Sequence, residues 1–177
     1  MKDIDHLKYP IGKFKAPKVY NAELREGFIS GIEETPFFLR QAVENLDEEQ
    51  LNTPYREGGW TVEQVVHHLP DSHMNAYIRT KLALTEKEPV IKPYKQDAWA
   101  HLEDYVTTPI ETSLTLLESV HTRWVILLKS LEPDQFNCKM THPEVGLIDI
   151  NWILAQYAWH GKHHIAHINS LKQRMGW

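Results

Sequence analysis

The sequence predicts an all-α fold: a four-helix bundle with long crossover loops and an extended N-terminal arm. Three observations carry that expectation. Four segments space their apolar residues at helical period, and strand signals are sparse. Start signals for a helix stand in front of several of these segments. The connections are longer than the simplest up-down order needs, which points to crossovers.

Residues 1–20, with Pro10, Gly12 and Pro17, read as an arm laid on the surface. Asn21 is placed to cap the first long helix, with Glu23 in its first turn. Leu24, Phe28, Ile32, Phe37 or Phe38 and Val43 keep the helical spacing, and Pro36 is expected to kink or split it. Residues 46–59 form a connection with one short turn. Gly58 and Gly59 then precede Thr61-x-x-Gln64, a capping box, and Trp60 is placed to staple onto Val65. Val62, Val65, Val66, Leu69, His73, Ala76 and Tyr77 make one face of this second helix, down to about Leu84.

The stretch 87–99, "KEPVIKPYKQDAW", is broken by proline and long enough to be a functional loop. Thr108 to Glu111 reads as another capping box, with proline at the first helical position. Leu114, Leu117, Val120, Trp124, Leu127, Leu128 and Leu131 carry the third helix. "MTHPEVGLIDI" (140–150) allows a small hairpin. Asp149 or Asn151 starts the last helix, which runs to about Met175 and stops at Gly176.

With 177 residues, the chain is expected to be one domain, 1–177. A net charge of −5 with mixed signs leaves no basic footprint for nucleic acid and no polybasic stretch for anionic lipid. No apolar run approaches the roughly 18–20 residues of a membrane span, and "MKDIDHLKYP" lacks the apolar region of a signal peptide. Cys138 is the one cysteine, so no intrachain disulfide is possible. A cytoplasmic protein without nucleic-acid or membrane partners is the expectation.

The anomaly is histidine, eleven in all, with four inside "WHGKHHIAHI" (159–168). His160 and His164 are one turn apart on the seam Ile153, Tyr157, His160, His164, His167, Leu171, which is the expected core stripe. Spacing alone leaves them balanced between a metal-ligand pair and a hydrogen-bonded network. His163 falls about 100° off the seam and is expected at the edge or exposed. His167 is open: substrate-facing, supporting, or simply hydrogen-bonded.

A third ligand must come from elsewhere, since catalytic zinc usually takes three protein ligands. In "HHLPDSH", His68 lies nearer the core than His67, on a polar seam with Ser72, Asn75 and Arg79. His73 reads as a core histidine, and His6, His101, His121 and His142 as surface or turn residues. Asp71 is a carboxylate placed to support His68, with a solvated side chain as the simpler reading. Gly161 stands where a helical zinc protease has its glutamate base. No nucleophile elbow or phosphate loop occurs.

"NTPYREGGW", "GGWTVEQVVHHLPDSHMNAYIR", "WHGKHHIAHI" and the terminal "RMGW" together resemble the DinB-like superfamily. The resemblance is to its YfiT-like branch of metal-dependent hydrolases, which includes bacillithiol S-transferases. It implies a four-helix bundle, a cytoplasmic homodimer, and one divalent metal ion per subunit, with zinc first and nickel second. The family places its first metal histidine eight residues after a tryptophan and a pair four apart on the last helix. Carried over, these are His68, His160 and His164.

The expected function is therefore a metal-dependent enzyme whose open three-histidine site activates a nucleophile. That nucleophile is either a small thiol, as in a bacillithiol-type transferase, or water, as in a hydrolase. The alternatives are a non-catalytic metal-binding or stress protein and a structural dimer with a hydrogen-bonded histidine core.

Overall fold

A computed structural model describes residues 5–177. The first four residues of the expected arm lie outside the described residues. The rest of the arm is one turn of helix, α1 (Asp5–Lys8), a tight turn over Pro10 and Ile11, and a largely extended run with a bend at Lys18 and Val19.

Helix α2 (Ala22–Val43) is capped by Asn21, whose side chain accepts from the Leu24 amide. It runs unbroken through Pro36, so the expected split does not occur. Asp47 and Gln50 form a capping box on the short helix α3 (Glu48–Leu51). Thr61 and Gln64 form the anticipated box on α4 (Val62–Thr85). The loop 87–99 carries a single turn, α5 (Gln96–Trp99), and α6 (Asp104–Thr107) follows.

The third long helix, α7 (Ile110–Lys129), starts without a side-chain cap, so the box expected at Thr108 and Glu111 is absent. Arg40 of α2 takes the Glu111 carboxylate instead, with contacts of 2.7 and 3.0 Å. Pro109, expected first in the helix, stands at the N-cap instead, and it has neither a side-chain oxygen nor an N–H for a capping box. A 3-10 turn leads to the hairpin β1 (Lys139–His142) and β2 (Gly146–Asp149), antiparallel with Met140 opposite Ile148. Asp149 caps the last helix, α8 (Ile150–Met175), and Gly176 ends it in the left-handed conformation at φ 74°.

Helix α2 packs against α7 and α8, and α4 packs against the same two. The ring of long helices therefore runs α2, α8, α4, α7. The connections α2 to α4 and α7 to α8 cross diagonally between opposite corners, as the long connections suggested. Among the described residues no helix is long and apolar enough to cross a membrane.

Two apolar clusters fill the bundle. One holds Ile32, Trp124, Ile153 and Leu154 and extends to the hairpin. The other holds Leu39, Val65, Leu69, Leu117 and Ile168. Each long helix passes from one cluster to the other, and on α4, α7 and α8 the change falls at histidines: His68 to His73, His121, and His160 to His164. A polar layer thus crosses the bundle between two dry cores.

Candidate metal centre

His68 comes from α4, and His160 and His164 from successive turns of α8. The structure brings the three together: one ring nitrogen of each lies within 4.8 Å of the others. His68 Nε2 is 3.3 Å from His160 Nε2. Two ligands at about 2.05 Å from zinc in tetrahedral array are about 3.3 Å apart, so this edge already has the length of a metal site. Trp60 covers one side, its ring 4.6 Å from that of His68 and 6.3 Å from that of His164.

Burial keeps the three rings neutral. It pulls His68 down to about 3, and His160 and His164 well below the ordinary imidazole value, with the neighbouring rings adding to the effect on the latter two. Neutral imidazoles offer the lone pairs that a divalent cation needs.

A hydrogen-bonded chain sets which nitrogen of His160 carries its proton. It begins at Pro36, which has no N–H and leaves the carbonyl of Ile32, four residues earlier, without its helical donor. His121 fills that vacancy, with Nδ1 2.6 Å from the Ile32 oxygen. A carbonyl only accepts, so Nδ1 holds the His121 proton and Nε2 is a lone pair. His121 Nε2 lies 2.8 Å from His73 Nδ1, which must then donate. His73 Nε2 is in turn an acceptor, 3.1 Å from His160 Nδ1. The His160 proton therefore sits on Nδ1, and Nε2 presents its lone pair toward His68 and His164. The assignment needs neutral rings. Desolvation supplies them, holding His121 at about 4 and His73 well below its ordinary value. His68 and His164 have no such support: their Nδ1 atoms are buried without a partner.

His73 is the core histidine anticipated from its phase, with an added contact to His160. His121 was expected at the surface and is 2 % exposed. Its phase with Leu117 and Trp124 on the apolar stripe was a usable signal. His163, expected at the edge, is buried and stacks on Trp159 at 4.3 Å. His67, expected nearer solvent, is buried with Nδ1 2.7 Å from Ser113 Oγ, still outside the trio. In both cases the cover comes from other elements: α7 over His67, and the arm residue Tyr9 beside His163. His167 donates to the Lys8 carbonyl and stacks on Tyr55 at 4.0 Å, tying down the arm. Asp71 neither supports a ligand nor stands free in solvent; it accepts from the Tyr105 hydroxyl at 2.7 Å. His101 is exposed, as expected.

Two clefts meet at His160. One, of about 790 Å³, is lined by Tyr9, Tyr55, Trp60, Trp159 and the α8 histidines. The other, of about 740 Å³, is lined by Ser72, Arg79, Tyr94 and Tyr157, and by His142, which was expected at the surface. Gln96 and Asp97 of the expected functional loop border both.

The DinB superfamily model matches residues 32–168, more than half of the chain. A Bacillus cereus protein named "Putative metal-dependent hydrolase" is 51% identical over 174 residues, covering 98% of this chain and all of its own. A protein of that description from Bacillus mycoides is 51% identical over 177 residues, all of both chains. The solved structure of YfiT from Bacillus subtilis, described as "a probable metal-dependent hydrolase with an unusual four-helix bundle topology", superposes with a TM-score of 0.94. It is 49% identical and covers 97% of this chain and 99% of that one. The four-helix bundle protein TT2238, 18% identical over 86% of this chain and 99% of that one, has a TM-score of 0.58 and supports the fold alone. The family match over most of the chain and the full-length likeness agree, and this chain belongs to the DinB superfamily.

Proposed function

We propose that the chain is a metal-dependent enzyme that holds one divalent ion, zinc before nickel, on His68, His160 and His164. The observation that carries this reading is the convergence of three neutral, buried imidazoles, one oriented by the His73–His121 chain. A bound ion would supply Lewis acidity, lowering the pKa of a thiol or water beside it. The chain's own part is to hold three donors on two rigid helices and to keep the His160 proton away from the site. Trp60 excludes water from one side.

For the nucleophile, the thiol reading has the better support. The trio contains no carboxylate that could serve as a general base, and a thiol needs less help to ionise than water. Two clefts also provide room for a thiol on one side of His160 and an electrophile on the other. Water remains the second reading. The relatives' printed names favour it, and so does Asp97, an acid at the border of both clefts. A cytoplasmic homodimer acting on small molecules completes the proposal, and the free Cys138 suits a reducing compartment.

Protein purified without nickel affinity should carry about one divalent ion per chain by elemental analysis, and His68→Ala or His160→Ala should lose it. Full metal retention in both variants refutes the ligand set. Conjugation of a thiol panel to a generic electrophile, run beside ester and amide hydrolysis, decides the nucleophile. Metal binding with neither activity would favour sequestration.

A further inference from the structure

The second cleft contains a charge without a counter-charge. Arg79 of α4 is 8 % exposed, and none of the ion pairs among the described residues involves it. A buried guanidinium without a carboxylate is costly and uncommon, because its hydration is lost and nothing ionic replaces it. Nη2 donates to the Lys92 carbonyl at 3.0 Å, which fixes the side chain against the loop, and the Tyr157 hydroxyl accepts a second hydrogen bond from the guanidinium. The Tyr157 hydroxyl lies against Arg79 and Ser72, and the Tyr94 hydroxyl against Ser72. A cation and three hydroxyl groups therefore gather in a cleft that His160 also lines.

We propose that Arg79 is the binding site for a carboxylate on the small-molecule substrate, with the Ser72, Tyr94 and Tyr157 hydroxyls completing its hydrogen bonds. The guanidinium has donors to spare after Lys92 and Tyr157, and its planar fork matches a carboxylate. A carboxylate suits the site better than a phosphate. Arg79 is the one buried cation of the lining and balances one negative charge, while on the exposed rim Asp97 and Glu144 outnumber Lys95 and disfavour a dianion. Arg79 follows His68 by eleven residues, so their backbones share a face of α4, and Tyr157 closes the gap between them, its hydroxyl on Arg79 and its ring 5.5 Å from that of His160. An extended molecule with its carboxylate on Arg79 has its far end at the histidine trio. The proposal deepens the metal reading and rests on it for the position of that reactive end.

The test compares 6-mercaptohexanoate with 6-mercaptohexanol, and their shorter and longer homologues, on cobalt-loaded protein. Calorimetry gives affinity, and the sulfur-to-cobalt absorption band reports whether the thiol reaches the metal. The wild type should prefer the carboxylate by about tenfold or more at the best length. Arg79→Gln should abolish that preference, and Arg79→Lys should keep part of it, both with metal content unchanged. A purely structural Arg79 would weaken acid and alcohol alike, and that result overturns the proposal. So does the absence of any preference in the wild type, which needs no variant to fold. Tighter binding of 6-mercaptohexyl phosphate than of the acid would overturn the choice of carboxylate. If no thiol produces the cobalt band but hexanoate still binds in an Arg79-dependent way, the metal reading fails and the carboxylate site stands.

Discussion

At the scale of single residues, the least expected arrangement is the dependence of His160 on groups that never reach the trio. Its Nδ1 proton is placed by His73, whose own tautomer is placed by His121, which is placed by the Ile32 carbonyl. Outer partners of this kind fix ring orientation and commonly alter metal affinity by about 10–100-fold. Replacing His73 with Phe keeps the bulk and removes both hydrogen bonds. His160 should then bind metal more weakly by about 10–100-fold in a competition titration with a chromophoric chelator, with its helix intact. His73→Gln retains a donor and an acceptor and should recover part of the loss. Unchanged affinity in both variants would mean that packing alone orients His160. Much of the trio could be read from the sequence, because His160 and His164 sit on the core stripe of their helix and His68 on a polar seam beside the apolar face of its own. The chain behind them could not. Its origin is a backbone carbonyl freed by Pro36, and its links come from four separate helices.

At the scale of elements, start and stop signals read well where the capping groups are local. Asn21, Thr61 with Gln64, Asp149 and Gly176 all act within their own turn. The signals failed where a distant element intervened. Glu111 pairs with Arg40 of α2 rather than with a cap, and His121 satisfies the carbonyl that Pro36 strands, so α2 does not break there. Gly161 shows the same dependence between elements. A Cβ built there would lie 2.6 Å from Thr35 Oγ1 and 2.7 Å from Thr35 Cγ2, closer than real contacts allow. The hydroxyl is itself bonded to the Gly31 carbonyl at 2.7 Å, so Thr35 has little freedom to turn aside. The residue between His160 and the rest of the motif is thus small because α2 touches α8 there. A glutamate base at this position would point into α2. Gly161→Ala should destabilise the fold by about 1–3 kcal/mol in denaturant titrations, against an intrinsic helix preference of about 1 kcal/mol in its favour. Adding Thr35→Ala should restore most of the loss. A Gly161→Ala protein as stable as the wild type would show that the helices separate freely at this crossing.

At the scale of the whole molecule, the histidine layer is a place where all four long helices meet through polar contacts: Ile32 of α2, His121 of α7, His73 of α4 and His160 of α8. Such a layer holds only while its rings are neutral, which makes acid its natural solvent of attack. His121 illustrates the sign. Burial lowers it from 6.5 to about 4, an effect only partly offset by its bond to the Ile32 carbonyl. Between those values the unfolded chain binds a proton at this residue and the folded chain does not. Stability therefore falls as pH drops from about 6.5 to about 4 and levels off below, once the folded form is protonated as well. This one ring should contribute a slope on the order of 1 kcal/mol per pH unit inside that window. His121→Phe should lower stability at neutral pH, because the Ile32 carbonyl loses its donor, yet flatten the acid slope by about one proton. Urea titrations of metal-free protein across the window measure both quantities. Parallel pH profiles for wild type and variant would mean that His121 titrates normally in the folded state. The neutral layer that fixes the His160 tautomer would then not exist as described.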